Sequence, residues 1–169
     1  MFEDPDLRAL LDERTIRRIL ARYCRGLDRM DKDMAYSVWH PDATACYDGI
    51  FEGSGHDFID WVWASHAELE RHSHQIANTL IELSRNRATS EAYATTVLWS
   101  KPDENGDQLE IITRGRYLDR WDKRMGVWAI NHRTYLLDMQ SIHPLTRGPV
   151  SSLATRDQHD PSFDFIPRG

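Results

Sequence analysis

An α+β fold, with helices leading and a curved antiparallel sheet following, is what this sequence predicts, and three observations predict it. Residues 7–28 carry apolar side chains at three- and four-residue spacing, the pattern of an amphipathic helix. From about residue 74 the hydrophobic period drops to two and holds to about residue 139, the pattern of strands. The connections between those strands, Arg85-Asn86-Arg87, Pro102 to Gly106 and Asp122 to Gly126, are turn-like, so successive strands are antiparallel neighbours in a meander. Helices that precede such a sheet must cover one of its faces. A strongly bent sheet around a helix leaves a cone-shaped pocket between the two.

In the first helix Ile16, Ile19, Leu20, Tyr23 and Leu27 form one apolar stripe, while Asp12, Glu13, Arg17, Arg18, Arg22 and Arg25 cover the other side. Asp28 lies at the margin of the stripe, beside the row of Leu20 and Cys24, where a carboxylate can reach the interior that the helix covers. Asp31 to His40 reads as a short second helix stopped by Pro41. Ala43 to Phe51 reads as a strand carrying Tyr47, with Gly49 and Gly53 near its turn. His56 to Arg71 reads as a third helix with Phe58, Trp61, Val62 and Leu69. Strands are then expected at about 74–84, 90–101, 108–121 and 126–139. From residue 144 to residue 169 the chain is polar, with Pro and Gly, and is expected to be an extended tail packed on a neighbour or a surface; residues 1–143 form the one domain.

Composition narrows the function. The 169 residues suffice for one domain with a substantial core. A net charge of -6 argues against nucleic acid, whose phosphates demand a basic face. There is no apolar run of membrane-spanning length and no basic, apolar leader at the N-terminus, and Cys24 and Cys46 have neither metal-type spacing nor a disulfide framework. A cytoplasmic protein with no membrane partner is expected.

The candidate chemistry sits at a helix end and a strand start. An aspartate held against a histidine inside a cavity makes a general base that works near neutral pH, which singles out Asp28 and His74. Alternation places His74, Ile76, Asn78 and Leu80 on one strand face, and Asn131, Arg133 and Tyr135 on another. Polar residues turned inward on such strands need partners or a ligand. Arg133 could instead pair with an acid such as Asp119. His72 and His74, two apart on a strand, could share a cation, with His132 or His143 as a third ligand. Asn78 stands where a cupin-type metal site usually has Glu, and no metal is expected.

Tyr23 with Asp28, His74 with Asn78, and Arg133 five residues after Gly126-Val127-Trp128 form an ordered set. On that set the chain, over roughly residues 8–140, resembles the SnoaL-like branch of the nuclear-transport-factor-2-like (NTF2-like, cystatin-like) superfamily, which includes polyketide cyclases, scytalone dehydratase, hexachlorocyclohexane dehydrochlorinase and bile acid 7-alpha-dehydratase. The resemblance implies a cone-shaped α+β barrel. It implies a His74–Asp28 dyad, with Tyr23 and Arg133 binding or polarising a carbonyl or leaving group. Tyr47, Asn78, Asn131 and Trp99 are the expected substrate-binding residues. A cofactor-independent lyase of the dehydratase type, with aldehyde release among its variants, is the implied activity, and the aromatic-rich interior favours a cyclic or aromatic small molecule. Isomerisation, aldol cyclisation of the polyketide-cyclase kind and a non-catalytic small-molecule-binding module are the alternatives. Family members are commonly oligomers, so a homo-oligomer is expected, a trimer ahead of a dimer.

Overall fold

The computed structural model describes residues 4–149 and 151–166. Helix α1 (Pro5–Asp28) starts where the sequence supplies both a cap and a proline. The Asp4 carboxylate accepts the Asp6 N–H at 2.9 Å, and Pro5 occupies the first turn, where its missing N–H is not needed. Ile16, Leu20, Tyr23, Cys24, Gly26 and Leu27 are its buried residues, close to the expected stripe. The chain reverses at Met30, which takes a left-handed conformation (φ 49°), and Asp31 then caps α2 (Lys32–Tyr36) by accepting the Met34 N–H at 3.1 Å. Gly26 permits the tight α1–α2 approach, because a Cβ there would lie 2.8 Å from the backbone nitrogen of Ala35.

Helix α2 ends before the expected His40, since the chain is already in strand β1 (Trp39–Tyr47). Pro41, expected as a helix stop, lies within β1, where the pairing with a neighbouring strand shifts register between Trp39 and Thr44. A residue without an N–H is tolerated where the ladder is interrupted. A short strand β2 (Phe51–Ser54), not expected from the sequence, returns on β1. Ser54 caps α3 (Gly55–Ala67) by accepting the Asp57 N–H at 3.0 Å.

The meander follows as β3 (Leu69–Ser84), β4 (Arg87–Ser100), β5 (Leu109–Arg124) and β6 (Val127–Pro144), all antiparallel to their chain neighbours. The β5–β6 turn is made by Met125 and Gly126, both at positive φ, as a tight hairpin twist requires. The free edge of β6 pairs in parallel with β1, giving the order β2-β1-β6-β5-β4-β3. The sheet is therefore mixed, where the sequence suggested an antiparallel one, and it is curled without closing, β2 and β3 being its edges. Helices α1 and α3 pack on its concave side. No helix among the described residues is long and apolar enough to cross a membrane.

Register shifts supply the curl and decide which side chains face the helices. One lies in β3 between Ile76 and Thr79, another faces Arg120 and Trp121 across from β6. Each adds one residue to a strand and so reverses its inward parity. His72, His74 and Ile76 share the face of their β4 partners Leu98, Thr96 and Ala94; beyond the shift, the inward residues are Thr79, Ile81 and Leu83, and Leu80 is turned to solvent.

Candidate active site

The last turn of α1 and the start of β3 meet at Asp28 and His74. The His74 ring nitrogen Nδ1 lies 2.7 Å from Asp28 Oδ1, and the His74 backbone N–H lies 3.1 and 3.0 Å from the two carboxylate oxygens. An ionised carboxylate only accepts, so Nδ1 carries the proton and donates it. Nε2, on the other side of the ring, has no hydrogen-bond partner among the described residues. Both side chains are largely buried, His74 being 7% and Asp28 16% exposed. The arrangement fixes one side of the imidazole against Asp28 and leaves Nε2 without a partner among the described residues.

Two further histidines, neither expected at the site on these terms, crowd the same spot. His66, from the last turn of α3, lies 4.1 Å from the His72 ring and 5.6 Å from the His74 ring, centroid to centroid. Burial, with His72 as the next cause, pushes His66 down to about 2; burial pushes His72 down to about 4. Both rings are neutral in the folded protein near pH 7. His72 Nε2 lies 2.8 Å from the Leu27 carbonyl oxygen. Among the described residues no group of three or more His, Cys, Asp or Glu side chains is disposed to hold a metal ion, and neither His132 nor His143 joins the pair. His132 is bonded instead to Thr44 and Thr134.

A second cluster is built on Tyr23, Tyr47 and Arg133. Their hydroxyls place Tyr23 and Tyr47 3.0 Å apart. The Arg133 guanidinium lies 4.4 Å from the Tyr23 ring centre and 4.0 Å from that of Tyr117. Arg133 Nε and one terminal nitrogen donate to the two Asp119 oxygens at 2.7 and 2.9 Å, and both side chains are fully buried. Nη1, the remaining terminal nitrogen, is buried without a partner. Burial works against the Arg133 charge, but the facing Asp119 carboxylate outweighs it, so the guanidinium keeps its proton well above its usual range. Burial keeps the Tyr23, Tyr47 and Tyr117 phenols protonated far above their ordinary range. The thiol of Cys24, pushed up to about 12 by burial first and Asp28 second, also feels Arg133, and so lies between the dyad and this cluster.

The other three expected residues are placed elsewhere. Asn78 is exposed, in the irregular stretch of β3. Asn131 is the extra residue of β6 and does not share the face of Arg133; its side-chain oxygen accepts from Arg124 at 2.8 Å. Trp99 lies on the sheet face away from the helices, alternating with buried Ala92 and Ala94, and donates to its cross-strand partner Glu110 at 2.9 Å. Alternation failed for the two asparagines because an inserted residue leaves no mark in the hydrophobic pattern. Grooves of about 360 and 410 Å³ run along Leu80, Glu82, Arg120 and His132 and along Arg87, Asp122 and Asn131, and neither includes a member of the dyad.

The family model for the SnoaL-like domain matches residues 8–134. The chain belongs to the SnoaL-like domain family. The matched stretch of this SnoaL-like chain contains Tyr23, Asp28, His74 and Arg133, and the tail lies beyond it. No curated protein matches it. Among solved structures it is similar to Rv3472 of Mycobacterium tuberculosis, a protein of unknown function, at 24% identity and a TM-score of 0.67 over 80% of this chain and 76% of that one. It is similar to a protein of Novosphingobium aromaticivorans provisionally assigned as a scytalone dehydratase, at 20% identity and 0.69 over 79% and 88%. It is also similar to the hexachlorocyclohexane dehydrochlorinase LinA-type3 of Novosphingobium barchaimii, at 17% identity and 0.70 over 87% and 99%. At these identities the likeness is one of fold, which is NTF2-like.

Proposed function

We propose that this SnoaL-like protein is a cofactor-independent lyase that takes a proton from a carbon of a cyclic or aromatic small molecule and expels a leaving group from the adjoining position. The observation that carries the reading is the His74–Asp28 contact, with Nδ1–H on the carboxylate and Nε2 free. Nε2 accepts the substrate proton, the C–H electron pair becomes the new double bond, and the leaving group departs with the electrons of its own bond. Asp28 stays ionised, keeps the tautomer and stabilises the imidazolium that forms. Such general-base assistance is typically worth about 10²- to 10⁴-fold. The proton then passes to the leaving hydroxide, halide or alkoxide, or to water.

Charge developing on the substrate requires a donor. Arg133 Nη1, buried and without a partner, and the Tyr23 hydroxyl, which burial keeps protonated, have the right chemistry. The dehydrochlorinase and the provisionally assigned dehydratase of like fold support elimination on a small molecule. One observation favours a different role for this half of the site: Arg133 faces Asp119 with both side chains fully buried, the arrangement of a core ion pair. On that second reading the substrate meets the dyad alone. The same base would also serve isomerisation or aldol closure.

A screen of hydroxylated aromatic and steroid-like compounds, followed by absorbance for new conjugation and by mass spectrometry, tests the proposal. The expected result is conjugation with loss of water, hydrogen halide or an alcohol. Conjugation or ring closure without mass loss would replace elimination by isomerisation or cyclisation, and binding without any product would show a ligand-binding module.

A further inference from the structure

We propose that Arg156 and His72 form a clamp that positions the Asp28 carboxylate, with Arg156 supplied by the C-terminal tail. This rests on the reading of Asp28 and His74 as the catalytic pair. The chain of contacts begins at the end of α1. The last carbonyls of a helix lack intrahelical donors. The Leu27 carbonyl belongs to the peptide unit that leads into Asp28, and it accepts the Met30 backbone N–H at 3.0 Å and, from a side chain, His72 Nε2 at 2.8 Å. Pinning that oxygen pins the residue that follows it.

The His72 ring is itself held from the other side. One Arg156 terminal nitrogen lies 3.3 Å from His72 Nδ1 and 2.8 Å from the His66 carbonyl oxygen. A guanidinium only donates and a carbonyl only accepts. The two contacts together therefore leave His72 one state, neutral, with the proton on Nε2 and the lone pair on Nδ1. The groups facing that ring are His66, His74, Asp28 and Arg156. Arg156 thus ties the end of α3, through His66, to the start of β3 and, through His72, to the end of α1.

The tail is fastened on both sides of Arg156, by residues that flank the dyad. Arg71 donates to the Ala154 carbonyl at 2.6 Å. Arg25 donates to the Ser162 hydroxyl at 3.2 Å, and Arg29 approaches Asp160 at 3.3 Å. Asp160 accepts the backbone N–H groups of Thr155 at 2.9 Å and Ser162 at 3.0 Å, which fold the segment into a closed turn. Arg25 and Arg29 stand on either side of Asp28, and Arg71 just before His72. A tail that served only to cover the surface would not need to place a cation on the back of a buried imidazole.

Nitrogen-15 NMR of the histidine rings in the full chain tests the clamp, because ring-nitrogen shifts report which nitrogen carries the proton. In the wild type, His72 should show a protonated Nε2 and a bare Nδ1 between pH 8 and pH 5. Arg156→Ala should let His72 sample both tautomers and should shift the His74 ring signals, with turnover on any substrate found falling by about tenfold at little change in KM, the size a slight misplacement produces. Arg156→Lys should restore part of both effects. A wild-type His72 protonated on Nδ1, which needs no variant to observe, would overturn the proposal, as would a folded Arg156→Ala protein whose His74 signals do not move. Asp28→Asn separates the two ideas: if it leaves His74 unchanged while the His72 state persists, the dyad fails and the contact chain stands without a catalytic purpose.

Discussion

At Arg133 the sheet buries a full positive charge, and the hydration lost by that ion and by Asp119 is several kcal/mol each, offset by their paired hydrogen bonds at 2.7 and 2.9 Å and by the faces of the Tyr23 and Tyr117 rings. Removing one partner leaves the other charge uncompensated. Asp119→Asn should therefore lower the unfolding free energy by about 3 to 5 kcal/mol in urea titration, and a loss under about 1 kcal/mol would mean that the pair is hydrated in solution. Tyr23→Phe deletes only one hydroxyl, bonded to Tyr47 at 3.0 Å, and should destabilise by about 1 kcal/mol in the same titration. Residue types and spacing made Asp28, His74 and Arg133 legible in the sequence, and Asp119 was already a candidate partner for Arg133. His66 was not legible as a neighbour of His74, since the third helix was expected to run on to Arg71, whereas α3 ends at Ala67 and β3 turns back from Leu69.

At the scale of elements, the position of Asp28 depends on how closely α1 meets α2. Gly26 lies two residues before Asp28, and an added Cβ would meet the Ala35 backbone, which cannot rotate away. Gly26→Ala should destabilise by about 1 to 3 kcal/mol, the range for overpacking, measured by urea unfolding. It should also reduce turnover, because relief of the clash moves the last turn of α1. An unchanged midpoint would show that the helices have slack. The first helix was legible because apolar spacing is local, but the ends of the next two were not: they were expected to reach His40 and Arg71, where the chain is already in β1 and β3. The four meander strands were found and β2 was not, and the expected faces hold only up to the register shifts. The added residues in β3 and β6 turned Leu80 and Asn131 away from the interior, and Ala77-Asn78 carries no Gly or Pro that would have announced an irregularity.

Over the whole molecule, the buried histidines set a pH dependence. The His72 value falls from the ordinary 6.5 to about 4 on folding, so between those values the unfolded chain binds more protons than the folded one. Stability then rises with pH across that window and is lost as pH falls through it, by about 3 kcal/mol for this group alone. His66, at about 2, acts in the same direction and over a wider range. Thermal midpoints should decline from pH 6.5 toward pH 4, and His72→Gln should flatten the decline; an equal slope in that variant would contradict the assignment. The α+β plan was visible in the change of period, whereas the parallel β1–β6 pairing joins the first and last strands of the chain and depends on contacts far apart in sequence. The return of the tail is of the same kind: Arg25 and Ser162 are separated by 137 positions, and no local pattern encodes their meeting.

Proton abstraction by His74 held against Asp28 is tested by comparing turnover and ligand affinity in His74→Ala and Asp28→Asn on a substrate found by the screen. Turnover should fall by about 10²- to 10⁴-fold in each, with affinity and thermal midpoint close to wild type. Wild-type turnover in the folded His74→Ala protein would contradict the account.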